Sequence, residues 1–163
     1  RDYYASRGLG DVYKRQIEYV SQNAEKEQDR VFCHHDMGHF LDVARLAEIL
    51  NLTEAYGQDA ELIYAAALLH DIGRHIQYET GEDHALVSAR MAPAILKDCG
   101  FMQEEAEQIV SAIATHRLAE VRDRKDLNGL LYRADKLSRP CYCCKQESAC
   151  NWKGDKKNRQ LIW

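Results

Sequence analysis

His70 and Asp71 end the run LIYAAALLHDIGR, where an apolar, alanine-rich stretch gives way to an imidazole and a carboxylate side by side. Such a pair at the end of a buried helix is costly to desolvate unless something binds it. A divalent cation is the obvious candidate, because neutral imidazole and carboxylate together suit Zn, Mn, Fe, Co or Ni. Two distant residues are placed to join the pair. His39 sits in the first turn of a helix that Asp36 can cap, and Asp135 follows Leu130, Leu131, Tyr132 and Ala134 rather than a solvated acidic run. Two nitrogen and two oxygen donors from separated helices converge only if those helices pack as a bundle, with the side chains projecting inward.

The elements that must position these groups are helices. Residues 17–29 are polar, with Ile17, Val20 and Ala24 spaced like one weak helical face. After Asp36, His39, Val43, Leu46 and Leu50 recur at helical steps. Asp59 can cap a third helix with a Leu62, Ala65, Ala66, Leu69 stripe, which Gly73 stops; residues 79–82 read as loop. Asp83 can cap a fourth, through about Cys99, with Pro93 inside it predicting a kink. A fifth spans about 103–115 and a sixth 127–137. No alternating run reads as a strand, so the chain is predicted to be all-α.

The totals narrow the function classes. At 163 residues and 45% hydrophobic content the chain is one domain with a real core. A formal charge of −4 gives no global attraction to nucleic acid or an anionic membrane, so an anionic substrate must meet a local positive site. The longest apolar stretch, residues 63–69, falls far short of the ~20 residues that span a bilayer. No secretory signal opens the chain, which favours a reduced, cytoplasmic setting in which the six cysteines are thiols or metal ligands. Residues 1–16 (RDYYASRGLGDVYKRQ) lack a sustained period and resemble translated adapter sequence, so they are expected to be non-native or disordered and to stand outside the fold.

The ordered set HFLDVARLAEIL at His39, LLHDIGR at His70-Asp71 and YRADKLSR at Asp135 resembles the HD phosphohydrolase superfamily, over about residues 36–139. The dipeptide alone is weak: His35-Asp36 is a decoy that precedes its helix, and Asp36 reads better as a cap. The resemblance implies a compact bundle of about six or more helices and a metal held by His39, His70, Asp71 and Asp135. It further implies that His84, opening the fourth helix, and His116, ending the fifth, bind a second ion, with Asp71 bridging. The bland readings are a surface residue for His84 and a cation at a helix C-terminus for His116. Whether one ion or two binds, and which of Mn, Fe, Co, Ni, Zn or Mg, stays open.

Arg74, Lys136 and Arg139 flank ligand positions and are candidate phosphate contacts, Arg74 with a guanidinium fork; Arg117 is another. His75 reads as supporting or solvent-facing, and His34 and His35 as either site rim or plain surface. A bound metal lowers the pKa of its water to around 7 and offsets transition-state charge. Asp71, Arg74 and His116 are therefore the candidate catalytic residues. The expected activity is hydrolysis of a phosphomonoester, phosphodiester or phosphoanhydride bond in a small, nucleotide-like metabolite. The resemblance supplies the phosphate preference. The alternative is a non-catalytic HD domain that binds a nucleotide signal. No nucleic-acid scaffold or membrane is expected as partner, and a homodimer is compatible with the sequence.

Residues 140–163 form a Cys-rich tail expected to pack on or extend the domain of residues 17–139. Cys141, Cys144 and Cys150, with a fourth ligand from elsewhere, suit one tetrahedral structural ion better than the adjacent pair Cys143-Cys144 does. Free thiols on a docked tail are the alternative.

Overall fold

Seven α-helices follow one another in the computed structural model, which describes residues 8–152 and 154–161. They are α1 (Leu9–Lys26), α2 (Met37–Thr53), α3 (Ala60–Leu69), α4 (Arg74–Thr80), α5 (His84–Asp98), α6 (Gln103–Thr115) and α7 (Leu127–Leu137), with three single 3-10 turns among the later loops. No strand occurs among the described residues, and no helix is long and apolar enough to cross a membrane.

The centre of the bundle is α3. Seven of its ten residues are buried, Leu62, Ile63 and the run from Ala65 to Leu69, so it is apolar nearly all round. Alanines at positions 65–67 let neighbours approach closely, and α1, α2, α6 and α7 all pack against it. The aspartates expected to start helices do so. Asp36 accepts from the His39 N–H at 3.1 Å, Asp59 from Glu61 at 2.8 Å and Asp83 from Ala85 at 2.8 Å, each cap contributing about 1 kcal/mol. In α2 the buried stripe is Phe40, Val43, Ala44, Ala47 and Leu50, with Leu46 only partly covered. Helix α5 runs unbroken through Pro93, whose side chain lies on its exposed face.

Three expectations are corrected. Residues 9–16 lie inside α1, where Val12 and Gln16 are fully buried, rather than outside the fold; residues 1–7 lie outside the described residues. Of the expected face Ile17, Val20 and Ala24, only Val20 packs, partly buried, against the core. Ile17 is 43% exposed and Ala24 is exposed, while Val12, Gln16 and Asn23 point inward. Hydrophobic spacing fails here because the face is held by polar bonds: Asn23 donates to the Asp71 carbonyl at 3.0 Å and accepts from the His75 N–H at 2.8 Å. Gln16 is buried with no hydrogen-bond partner for its amide among the described residues. Finally, Glu79 and Thr80, expected in a loop, end α4, which starts directly after Gly73. Helix α4 has no capping side chain of its own, and Asn23 of α1 satisfies one of its free N–H groups.

The tail returns to the bundle. The Asn158 amide donates to the carbonyls of Lys136, Leu137 and Arg139, each at 2.9 Å, closing the C-terminus of α7. Arg139 lies over the Trp152 ring at 4.1 Å.

Candidate metal centre

The turn between α3 and α4 carries His70 and Asp71 into the bundle interior, 0% and 2% exposed. Gly73 makes that turn possible. A Cβ there would stand 2.7 Å from Val87 Cγ1 and 2.9 Å from the Ser88 nitrogen, so only glycine lets the turn lie against α5. The Gly73 N–H donates to the Ser88 hydroxyl at 2.9 Å.

Imidazole Nε2 atoms surround the Asp71 carboxylate. On its Oδ2 side lie His70 at 3.5 Å, His35 at 3.7 Å and His39 at 3.9 Å; on its Oδ1 side lie His84 at 3.0 Å and His116 at 3.5 Å. Asp135 closes the Oδ2 side, its Oδ1 3.7 Å from His39 Nε2. The ligand atoms of His39, His70 and Asp135 lie within 4.8 Å of one another, as do those of His70, Asp71 and His116. Helices α2, α3, α5, α6 and α7 thus each deliver a group to one point, at a helix start, a helix end or the turn beyond.

The outward nitrogens determine what the inward ones can do. His70 Nδ1 lies 2.6 Å from the Ala67 carbonyl and His116 Nδ1 2.7 Å from the Ile113 carbonyl. A carbonyl oxygen only accepts, so each Nδ1 carries the proton and each Nε2 presents a bare lone pair. His84 Nδ1 faces Gln77 Oε1 at 2.6 Å in the same way. The Ser138 hydroxyl donates to the Asp135 carbonyl at 2.8 Å, leaving its oxygen to accept from His39 Nδ1 at 3.3 Å. The Nε2 atoms of His39 and His70 therefore face each other at 3.3 Å as two acceptors. His84 Nε2 and Asp71 Oδ1 are likewise buried acceptors without a hydrogen bond among the described residues. Acceptors converging in a dry interior repel unless a cation lies between them, so the donor set fits a divalent ion.

The charge states agree with that fit. Burial lowers the pKa of His39 and His84 and brings His70 down to about 3, against the pull of the nearby carboxylates. Burial alone would raise the two aspartates. For Asp71 the His70 and Arg74 side chains outweigh it, and for Asp135 Lys136 does so first, so both carboxyls are held below their ordinary range. Neutral imidazoles beside ionised carboxylates are the forms that bind metal.

The structure brings together His39, His70, Asp71, His84, His116 and Asp135. It also places Arg74 Nε 3.4 Å from Asp71 Oδ2, and Lys136 on Asp135, with Lys136 Nζ 3.4 Å from the His116 carbonyl. Arg139 is engaged with the tail through Trp152 and the Lys156 carbonyl, and Arg117 pairs with Asp83. His75 stacks on Tyr19 beside Asn23, a supporting position.

Sequence reasoning missed several supporting groups and left His35 undecided. His35 is buried, its Nδ1 2.5 Å from Glu27 Oε1 and its backbone N–H bonded to Glu27 Oε2 at 2.8 Å. Tyr78 also donates to Glu27, at 2.6 Å. Burial pushes the Glu27 carboxyl up, but His35 and Tyr78 outweigh it and bring it to about 2. One signal was available: Gln16, Asn23 and Glu27, seven and four residues apart, share a helical face.

Comparison with known proteins agrees with this geometry. The HD domain family matches residues 36–139. An uncharacterized protein of Clostridium beijerinckii is 44% identical over 149 residues, which is 90% of this chain and 92% of that protein. A ribonuclease Y of Rubrobacter xylanophilus is 34% identical over 80 residues, 49% of this chain but 14% of that protein's length. The crystal structure of a predicted HD superfamily hydrolase from an uncultured Thermotogales bacterium superposes with a TM-score of 0.57 at 31% identity, covering 74% of this chain and 66% of that one. The ordered histidines and aspartates, the helical bundle and the family match coincide: the chain belongs to the HD domain family and has the fold of an HD superfamily hydrolase.

Proposed function

We propose that the protein is a metal-dependent phosphohydrolase that cleaves a phosphate ester or anhydride bond of a small, nucleotide-like metabolite with an activated water. The observation that carries this reading is the two-sided Asp71 carboxylate, with His39, His70 and Asp135 on its Oδ2 side and His84 and His116 on its Oδ1 side. That division gives a donor set on each side of Asp71, and the two sets would suit two ions. Divalent ions in such a site bring the pKa of bound water to around 7 and polarise the phosphoryl oxygen.

The chain's own residues supply orientation and charge. His39, His70, His84 and His116 would hold the ions through Nε2, each ring fixed by its outward Nδ1 bond. Arg74 and Lys136, 20% and 28% exposed, are the least buried groups at the centre and so mark the side from which an anion approaches. A phosphate arriving there exchanges the Arg74 contact with Asp71 for a charge-assisted bond of its own. His35, oriented by Glu27, adds an imidazole at the Asp71 Oδ2 side. The ribonuclease Y relatives add short RNA to the diesters worth testing.

The test is reconstitution with Mn, Fe, Co, Ni, Zn or Mg, followed by a screen of nucleoside mono-, di- and oligophosphates, cyclic nucleotides and short RNA. Turnover that disappears in Asp71→Asn, with two ions bound at the His/Asp centre of each folded wild-type chain, is the expected result. Tight nucleotide binding with no turnover under any ion would instead make the domain a signal-binding module.

A further inference from the structure

The six cysteines are all free thiols, and four of them are distributed in a way the His/Asp centre does not explain. In the tail, Cys141, Cys144 and Cys150 are partly buried, whereas Cys143 and the other intervening residues, save Glu147, are exposed. Inward positions therefore recur every third residue, at 141, 144, 147 and 150. The chain makes this spacing with tight turns: the N–H of Cys144 reaches back to the Cys141 carbonyl, that of Glu147 to Cys144 and that of Ala149 to Gln146. At 147 the inward group is already committed, since Lys157 Nζ lies 2.9 Å from the Glu147 carboxylate and 2.7 Å from its carbonyl. That leaves three thiols on one side of a closed loop.

A fourth thiol comes from the other end of the domain. Cys33 is partly buried in the segment between α1 and α2, its carbonyl held by Arg30 Nε at 2.6 Å. The Ser138–His39 contact ties the end of α7 to the start of α2, which brings that segment beside the beginning of the tail. Burial raises the Cys33 thiol, Cys141 and then Cys144 add to the rise, and Arg139 acts in the opposite sense, in keeping with that placement.

We propose that Cys33, Cys141, Cys144 and Cys150 form a second metal site, a structural tetrathiolate for a zinc-type ion that clips the C-terminal loop to the segment carrying His34 and His35. Four thiolates in tetrahedral array are the donor set of structural zinc, and the spacing Cys-x2-Cys with two further cysteines satisfies it without the adjacent Cys143. No thiol triplet lies within 4.8 Å among the described residues, unlike the His/Asp groups, so binding draws the loop inward as it orders it. Each ligating thiol gives up its proton, and Arg139 offsets part of the resulting negative charge. The site would fasten the segment that aims His35 at Asp71.

Thiol protection in the intact, metal-loaded wild-type chain tests this without any substitution. Alkylation followed by peptide mapping is expected to label Cys143 readily and to leave Cys33, Cys141, Cys144 and Cys150 protected. A thiol-competing chelator should release one zinc per chain and open all four together. Cobalt loading should give thiolate-to-cobalt absorption that Cys33→Ser abolishes and Cys143→Ser keeps, a signal the His/Asp centre cannot produce. Labelling of the four at the rate of Cys143 with zinc present would overturn the proposal, as would protection that survives chelation. Iron–sulfur absorption in the purified chain would overturn the assignment to zinc.

Discussion

The groups that aim the candidate ligands matter nearly as much as the ligands. Gln77 is the clearest case: its Oε1 takes the His84 Nδ1 proton at 2.6 Å and so presents the His84 Nε2 lone pair to Asp71. Gln77→Ala removes that acceptor and is expected to weaken binding of the ion on the Oδ1 side by roughly 10- to 100-fold, read by competition with a metal-sensitive dye. Glu27 acts one step further out, through His35. Its carboxyl, ordinarily near 4.5, is brought to about 2 in the fold. A carboxyl held below its unfolded value stabilises the protein at pH above 4.5, and that contribution vanishes as pH falls through about 2. Urea unfolding across this window should show wild type losing stability with acid more steeply than Glu27→Gln. Equal slopes would mean that the His35–Glu27 pair carries no such linkage.

At the scale of elements, the turn from α3 to α4 is a junction of four helices. Asn23 of α1 grips it from one side and Ser88 of α5 from the other. Gly73 lets α5 come close, so Gly73→Ala forces a methyl to within 3 Å of Val87 and the Ser88 backbone. The backbone atom cannot yield as a side-chain tip can, and a loss of about 1–3 kcal/mol is expected, typical of overpacking. Thermal melts and metal titration should move together, because the same turn carries His70 and Asp71. A variant with full metal affinity and wild-type stability would show that the turn has slack the geometry does not suggest.

For the whole molecule, the candidate metal centre joins five helices at a point where lone pairs oppose one another. An ion that binds only the folded chain would offset that repulsion and stabilise the fold, by about 2.7 kcal/mol at a hundred times its dissociation constant. Chelation should therefore lower the melting temperature by several degrees, at roughly 2–4 °C per kcal/mol for a chain of this size. Asp71→Asn should show no further drop on chelation at this centre. A melting temperature indifferent to chelator in the wild type would argue against a bound ion at the centre.

The ordered motif was legible in the sequence because each of its members sits at a helix end that local signals mark. Asp36, Asp59 and Asp83 announce helix starts beside His39, ahead of α3 and beside His84, and an apolar run delivers His70 and Asp71. What these signals do not contain is how distant helices face one another. Asn23 meets Asp71, and Glu27 meets His35 and Tyr78, only after packing. A polar side chain whose partner is remote looks solvent-facing in any local window, which is why hydrophobic spacing misplaces the buried face of α1. Hydrophobic periodicity and capping thus determined the helices and the order of the candidate ligands. Tertiary packing alone decided that five helix ends meet at one point, which nitrogen of His39 turns inward and which polar groups of α1 hold the centre in place, because those outcomes depend on contacts between elements far apart in the chain; His70 and His116 are oriented locally, by carbonyls three residues back.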